Sequence, residues 1–279
     1  MAEHVYELYA DDDVQPGPVP AEVLQYFRRK DLKIGFDHRD VWNQEHDFAF
    51  TAAKVMRRDV LDALHDELAK AIEQGMPFKA FTKSIEPRLK ALGWWEPQEV
   101  EDPKLGGTVT INPPARLRTI FNTNMRTARA VGQYDRIQRT KKTRPYLLYQ
   151  VGPSAKHREQ HLAWHGLLLP ADDAFWKVAF PPNGYGCKCS VRSVSQREAD
   201  RLERDGVLAP NPEPVLDDEG VPTGHVIEKR VPVVTKAPDL PIVPYLNTRT
   251  GVVTFGPEGI HPSFARPPGE ARKRALQGV

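Results

Sequence analysis

The sequence predicts an α+β fold: long N-terminal helices, a compact α+β core with a small sheet, and a Pro-rich extended C-terminal tail. Three observations carry this. Apolar residues recur at steps of three and four over Glu45–Gln74, Phe78–Leu92 and Pro113–Arg139, the period of a helix. Short apolar runs at Tyr146–Val151, Leu167–Leu169, Val178–Phe180 and Cys187–Val194 have strand length and Gly or Pro neighbours. Twelve of the 26 prolines fall after residue 206, which argues for extended chain and against a large sheet. The division that follows is a helical arm (1–95), a linker (96–112), a core (113–206) and a tail (207–279).

In chain order, Asp11-Asp12-Asp13 followed by Pro16, Pro18 and Pro20 reads as an acidic arm and a stiff connector. Pro20 opens a short helix to about Lys30, with Val23, Leu24 and Phe27 on its apolar side, and Gly35 breaks it. Glu45–Gln74 reads as one helix, closed by Gly75 and spanning about 44 Å at about 1.5 Å per residue. It is either a core helix or an arm against another subunit, and His46 on it is a cap or packing residue. Phe78, Phe81, Ile85, Leu89 and Leu92 continue the helical period to Gly93, with Pro87 expected to kink or split the segment. Trp94-Trp95 suits an interface or a core, and the Pro-, Gly- and acid-rich residues 96–114 read as irregular connection.

Pro113-Pro114 open the next helix. Leu117, Ile120, Phe121, Asn124, Ala128 and Val131 gather on one face, where Asn124 should be buried and hydrogen-bonded. Arg118, Arg126, Arg129 and Arg136 gather on the opposite face. Nine basic residues and one acid, Asp135, lie between Arg116 and Arg144. That face is a solvated surface, a contact to a DNA phosphate backbone, or a dock for an acidic protein.

The chemically richest stretch is His157–Arg192. His157, His161 and His165 are spaced i, i+4, i+8 and would stack on one helical face before Gly166. Cys187 and Cys189 would point to one side of a strand. A helix offering His161 and His165 to a strand offering Cys187 and Cys189 makes a tetrahedral Zn²⁺ set. Two further arrangements stand beside it: thiols and histidines in a polar core, and a disulfide of awkward geometry. A hydrolytic site with Asp172 or Asp173 as base and His157 or His161 as ligand is also possible on paper. A four-ligand zinc has no open position for water, and the two aspartates more simply cap the turn at Phe175-Trp176. Beyond it, Ser195-x-x-Glu198 is a capping box for a helix closed by Gly206, and the tail shows hairpin-like pieces around Val226–Val234 and Ile242–Phe255.

The hydrophobic share is 40%, the formal net charge is +2, and the mean hydropathy is −0.53. No apolar run reaches the roughly 18 residues of a membrane span, and the N-terminus lacks the apolar run of a signal peptide. Two cysteines suit a reducing cytoplasm.

Arg158-x-x-His161, Trp164-His165-Gly166, Asp172-Asp173-x-Phe175-Trp176 and Pro181-Pro182-Asn183-Gly184-Tyr185-Gly186-Cys187-Lys188-Cys189-x-Val191 together resemble the core motif of the phage Mu F-type head morphogenesis family. These are minor head proteins of tailed bacteriophages and prophages. Lys188 stands where the family usually has arginine. The likeness extends to Glu45-His46-x-x-Ala49-Phe50, Leu92-Gly93-Trp94-Trp95, Arg116–Ala128 and, imperfectly, Gly259–Phe264, so that it covers most of residues 36–270. The resemblance implies a capsid component of the virion, located inside the head near the portal and in the host cytoplasm during assembly. It implies the portal protein, scaffold and major capsid proteins as partners, with packaged DNA as a further contact, no membrane, and a role in DNA packaging that needs no enzyme activity. The competing expectations are a metal-dependent nuclease or hydrolase built on the His/Cys/Asp cluster, and a DNA-binding protein outside the virion.

Overall fold

The computed structural model of the chain describes residues 21–42, 45–154, 156–210, 213–267 and 269–271. The acidic arm and connector expected over residues 1–20 lie outside them. The N-terminal layer begins with helix α1 (Ala21–Arg28), strand β1 (Asp31–Leu32), the short helix α2 (Glu45–Phe48) and strand β2 (Ala49–Phe50). Helices α3 (Arg58–Gln74) and α4 (Phe78–Ala91) follow. Val23 and Phe27 of α1 pack with Leu61, Leu64, Leu68 and Ile72 of α3, and with Phe81, Ile85 and Leu89 of α4.

The single helix expected over Glu45–Gln74 is interrupted. Ala49 and Phe50 pair in parallel with Asp31 and Leu32. Lys54 then has φ 68°, a left-handed conformation that no α-helix carries. Phe50, Ala52 and Val55 keep the apolar rhythm, but strand pairing and a bridge from Gly35 to Val55 bury them instead of a helical face. Gly75 (φ 65°) closes α3 as expected, with Met76 N–H returning to the Ala71 carbonyl. Pro87 does not split α4, because Phe81, Ile85 and Leu89 share one buried face on both sides of it.

The expected linker contains a hairpin, β3 (Gln98–Glu101) with β4 (Thr108–Ile111). The Asp102 carboxylate shapes its turn by accepting from the N–H groups of Lys104 and Leu105, and it receives the Arg249 guanidinium at 2.5 Å. Helix α5 (Pro113–Thr140) is capped by Asn112, whose side chain accepts from Ala115 N–H. Leu117, Ile120, Phe121, Met125 and Ala128 of α5 enter the N-terminal core, whereas Ala130 and Ile137 enter a second one. One helix thus joins both layers.

The second core surrounds β5 (Tyr146–Gln150), the central strand of an antiparallel sheet whose edges are β6 (Leu168–Pro170) and β7 (Ser190–Val194). Helices α6 (Glu159–Ala163) and α7 (Trp176–Ala179) lie in the connection between β5 and β7. Alternation splits β5 between two faces. Leu147 and Tyr149 meet Trp164, Phe175, Trp176 and Phe180, while Leu148 meets Ala199 and Leu202 of α8 (Gln196–Asp205). Ser195 caps α8 through Glu198 N–H, but the Glu198 carboxylate bonds Arg192 and leaves the reciprocal half of the box unmade.

After α8, β8 (Val207–Leu208) pairs with β11 (Arg230–Val231), and β9 (Glu213–Leu216) pairs with β10 (Pro222–Ile227), so the expected hairpin near Val226–Val234 is built from earlier residues. Strands β12 (Ile242–Leu246) and β13 (Val253–Pro257) form the second hairpin where expected. The tail then returns to the body. Ile260 and Phe264 belong to the second core, and Asp47 accepts from Gly269 and Ala271 N–H. Arg249, its side chain fully buried, pairs with both Asp40 and Asp102. Among the described residues no helix is long and apolar enough to cross a membrane.

Candidate metal centre

The site is built from two pieces of backbone. Helix α6 carries His161, and the loop Pro181–Cys189 carries the cysteines into β7. Both cysteines precede the strand instead of lying on it. They converge because the loop folds on itself at Gly186 (φ 72°) and Cys187 N–H returns to the Gly184 carbonyl. Buried Asn183 pins the loop: its amide donates to the Tyr149 hydroxyl, and its carbonyl accepts from His261 N–H. Gly152 lets the chain leaving β5 press on the loop, since a Cβ there would sit 2.2 Å from the Lys188 carbonyl oxygen.

His161 is almost fully buried, stacked on Trp164 at 5.3 Å between ring centroids. Its Nε2 lies 2.9 Å from the Gly259 carbonyl. A carbonyl only accepts, so Nε2 carries the proton and Nδ1 presents its lone pair. That lone pair faces Cys187 Sγ at 3.8 Å and Cys189 Sγ at 3.6 Å. All three donor atoms lie within 4.8 Å of one another. The hydrogen bond from Cys189, opposed by burial and helped by His161, pulls the Cys187 thiol down in pKa. The same bond to Cys187, together with burial, pushes the Cys189 thiol up.

His165 does not join them. Helix α6 is too short to stack three histidines: it ends at Ala163, and Gly166 (φ 83°) turns the chain toward β6. His165 Nδ1 accepts from Val151 N–H at 3.2 Å and Nε2 donates to the Leu208 carbonyl at 2.8 Å, which occupies both nitrogens. Of the four candidate ligands, the structure thus brings three together. The fourth side opens on a cleft of about 600 Å³ with Ser154, Lys156, His157, Arg158 and Lys188 on its walls. A closed site therefore no longer argues against hydrolysis, but neither suggested base lines the cleft. Asp173 caps Phe175 N–H, and Asp172 pairs with Lys141.

The basic face of α5 is incomplete in a related way. Arg118, Arg129 and Arg136 are exposed, with the Arg118 guanidinium 4.3 Å from the Phe78 ring centre. Arg126 is half-buried and donates to the Cys187 carbonyl at 3.3 Å, so it supports the cysteine loop. Asn124 is half-buried rather than buried, and its amide bonds the Ile120 carbonyl one turn back.

A second polar cluster escaped the sequence reading. His46 Nε2 accepts from the Tyr185 hydroxyl at 2.9 Å, and His261 packs edge-on against Tyr185 and Trp42. Burial first, and the Lys30 charge second, drive His46 down to about 3. Burial, then His38 and Arg158, lower His261 to about 4. The arm, the cysteine loop and the C-terminal segment meet at these neutral imidazoles. Their separation in sequence hides the cluster, although His46, Tyr185 and His261 each lie in a stretch that carries the family likeness.

Residues 62–192 match the family described as Phage Mu protein F like protein. The chain is similar to the "Putative capsid assembly protein F" of Escherichia phage Mu, 36% identical over 177 residues, which are 63% of this chain and 40% of that protein. It is also similar to the "Mu-like prophage FluMu F protein" of Haemophilus influenzae, 37% identical over 165 residues, or 59% of this chain and 39% of that one. The chain spans about two fifths of the length of these curated relatives. No solved structure matches it.

Proposed function

We propose, from the match of residues 62–192 to the family described as Phage Mu protein F like protein, that this chain acts in assembly of a phage head, as a minor head protein inside the capsid close to the portal. The observation that carries this is the 36% identity, over 63% of the chain, to a protein whose name describes capsid assembly. The geometry suits a structural part. Its distinctive side chains tie segments together: His161 to Gly259, His46 to Tyr185, and Arg249 to Asp40 and Asp102. Such ties make a rigid body that can present a fixed surface to a neighbour.

The surface offered is the exposed cationic face of α5 at Arg118, Arg129 and Arg136. In this reading it meets acidic side chains of the portal protein, with scaffold and major capsid proteins as further neighbours during assembly. Co-expression with the portal protein of the same phage tests it. Co-purification is expected and should be lost when the three arginines are changed to glutamate; failure of the wild-type chain to co-purify overturns the portal contact. The span from Arg118 to Arg136, about 27 Å at about 1.5 Å per residue, also favours packaged DNA as a second occupant. Retardation of duplex DNA that weakens with salt and vanishes in the same triple variant distinguishes that outcome.

A further inference from the structure

We propose that His161 Nδ1, Cys187 Sγ and Cys189 Sγ hold a single zinc ion whose fourth coordination position faces the cleft between α6 and the cysteine loop. The inference is independent of the assembly role.

Three features beyond residue type support it. The first is spacing. A tetrahedral zinc with bonds of about 2.0 Å to nitrogen and about 2.3 Å to sulfur separates N and S by about 3.5 Å along the tetrahedron edge. His161 Nδ1 stands 3.6 Å from one sulfur and 3.8 Å from the other. Both N–S separations are thus within about 0.3 Å of that edge, and the three donor atoms all lie within 4.8 Å of one another. The second is the tautomer. The Gly259 carbonyl accepts from Nε2–H and leaves the Nδ1 lone pair aimed at the sulfurs, which is how a backbone carbonyl orients a ligating histidine. The third is the support of the sulfurs. Backbone N–H groups of Asn183 and Gly152 reach Cys187 and Cys189 respectively, and the Tyr149 hydroxyl reaches Cys189. These contacts hold both sulfurs in place beside the imidazole.

The cleft side differs from the other three. His165 is turned away with both nitrogens bonded, so it cannot close the shell. Cationic Lys156, Arg158 and Lys188 line the cleft beside the open corner. In the isolated chain that corner takes water or hydroxide, and a small external donor can replace it.

The test uses the full chain purified without chelator. Elemental analysis should return about one zinc per chain, where less than about 0.2 equivalents removes the proposal. Replacement by Co²⁺ should produce thiolate-to-cobalt charge-transfer absorption and intense tetrahedral d–d bands. His161→Ala should lose the ion while His165→Ala keeps it; the reverse result overturns the ligand set. Because misfolding would also strip the ion from His161→Ala, His161→Cys supplies a second reading: it should regain the ion with a more thiolate-rich cobalt spectrum, and failure to do so in a folded variant overturns the site. Added imidazole should shift the wild-type cobalt bands, and a spectrum that does not move overturns the open position.

Discussion

The two buried histidines at the junction of arm, loop and tail make folding stability depend on mild acid. His46 and His261 are held near 3 and 4, against about 6.5 for an unfolded chain. Their folded values are depressed, so the stabilisation is complete above about pH 6.5 and lost as the pH falls, because the unfolded state takes the protons first. At about pH 5 each imidazole is still neutral in the fold but protonated in the unfolded chain. The cost is about 1.5 pH units at about 1.4 kcal/mol each, or about 2 kcal/mol per histidine and about 4 kcal/mol for the pair. That is a large part of the roughly 5–15 kcal/mol that holds a domain together. His38, His65 and His165 are also lowered, chiefly by burial, and act in the same direction. The carboxylates do not interfere in this window. Burial raises Asp37, but its bonds from Arg39 outweigh that and bring it to about 2, so its contribution survives at pH 5 and fades only below about pH 4. Urea melts at about pH 7.5 and about pH 5 measure the difference. A loss below about 1 kcal/mol, or an undiminished loss in the His46→Gln/His261→Gln double variant, refutes the reasoning.

Gly152→Ala should cost about 1–3 kcal/mol in the same melts, because its Cβ would lie 2.2 Å from backbone oxygen of Lys188. Gly93→Ala, with φ 67° but open space around it, should show only a backbone penalty of about 1 kcal/mol. Asp47→Ala should cost about 1–3 kcal/mol, since it strands the N–H groups of Gly269 and Ala271 that its carboxylate accepts. Limited proteolysis should then release the C-terminal segment well before the helical layer is cut, and equal cutting rates in variant and wild type would contradict the anchor.

Much of the local architecture was legible because it is governed by near neighbours. Gly75 and Gly206 stop helices that flanking side chains cannot continue, Ser195 caps the helix after it, and α5 runs from Pro113 almost to the predicted end. The two faces of β5 follow from alternation within five residues. The family likeness was legible for a related reason: the order and spacing of Arg158 to Val191 survive without any knowledge of their contacts.

Where the reading failed, distant parts of the chain intervened. The apolar rhythm from Phe48 to Val55 looked helical, but β1 offered Ala49 and Phe50 a strand partner, and backbone pairing overrode the period. The linker became a hairpin anchored by Arg249, some 147 residues away. His165 shared its spacing with His161 and had no local mark to separate them. The carbonyl of Leu208 and the N–H of Val151 claimed its ring, while the Gly259 carbonyl turned the His161 lone pair toward sulfur. Residue type and spacing therefore determined which side chains were able to bind a metal and which helices and strands would form. Which of those side chains meet was decided by tertiary packing, because a buried ring nitrogen must find a hydrogen-bond partner and the partner comes from wherever the fold brings one.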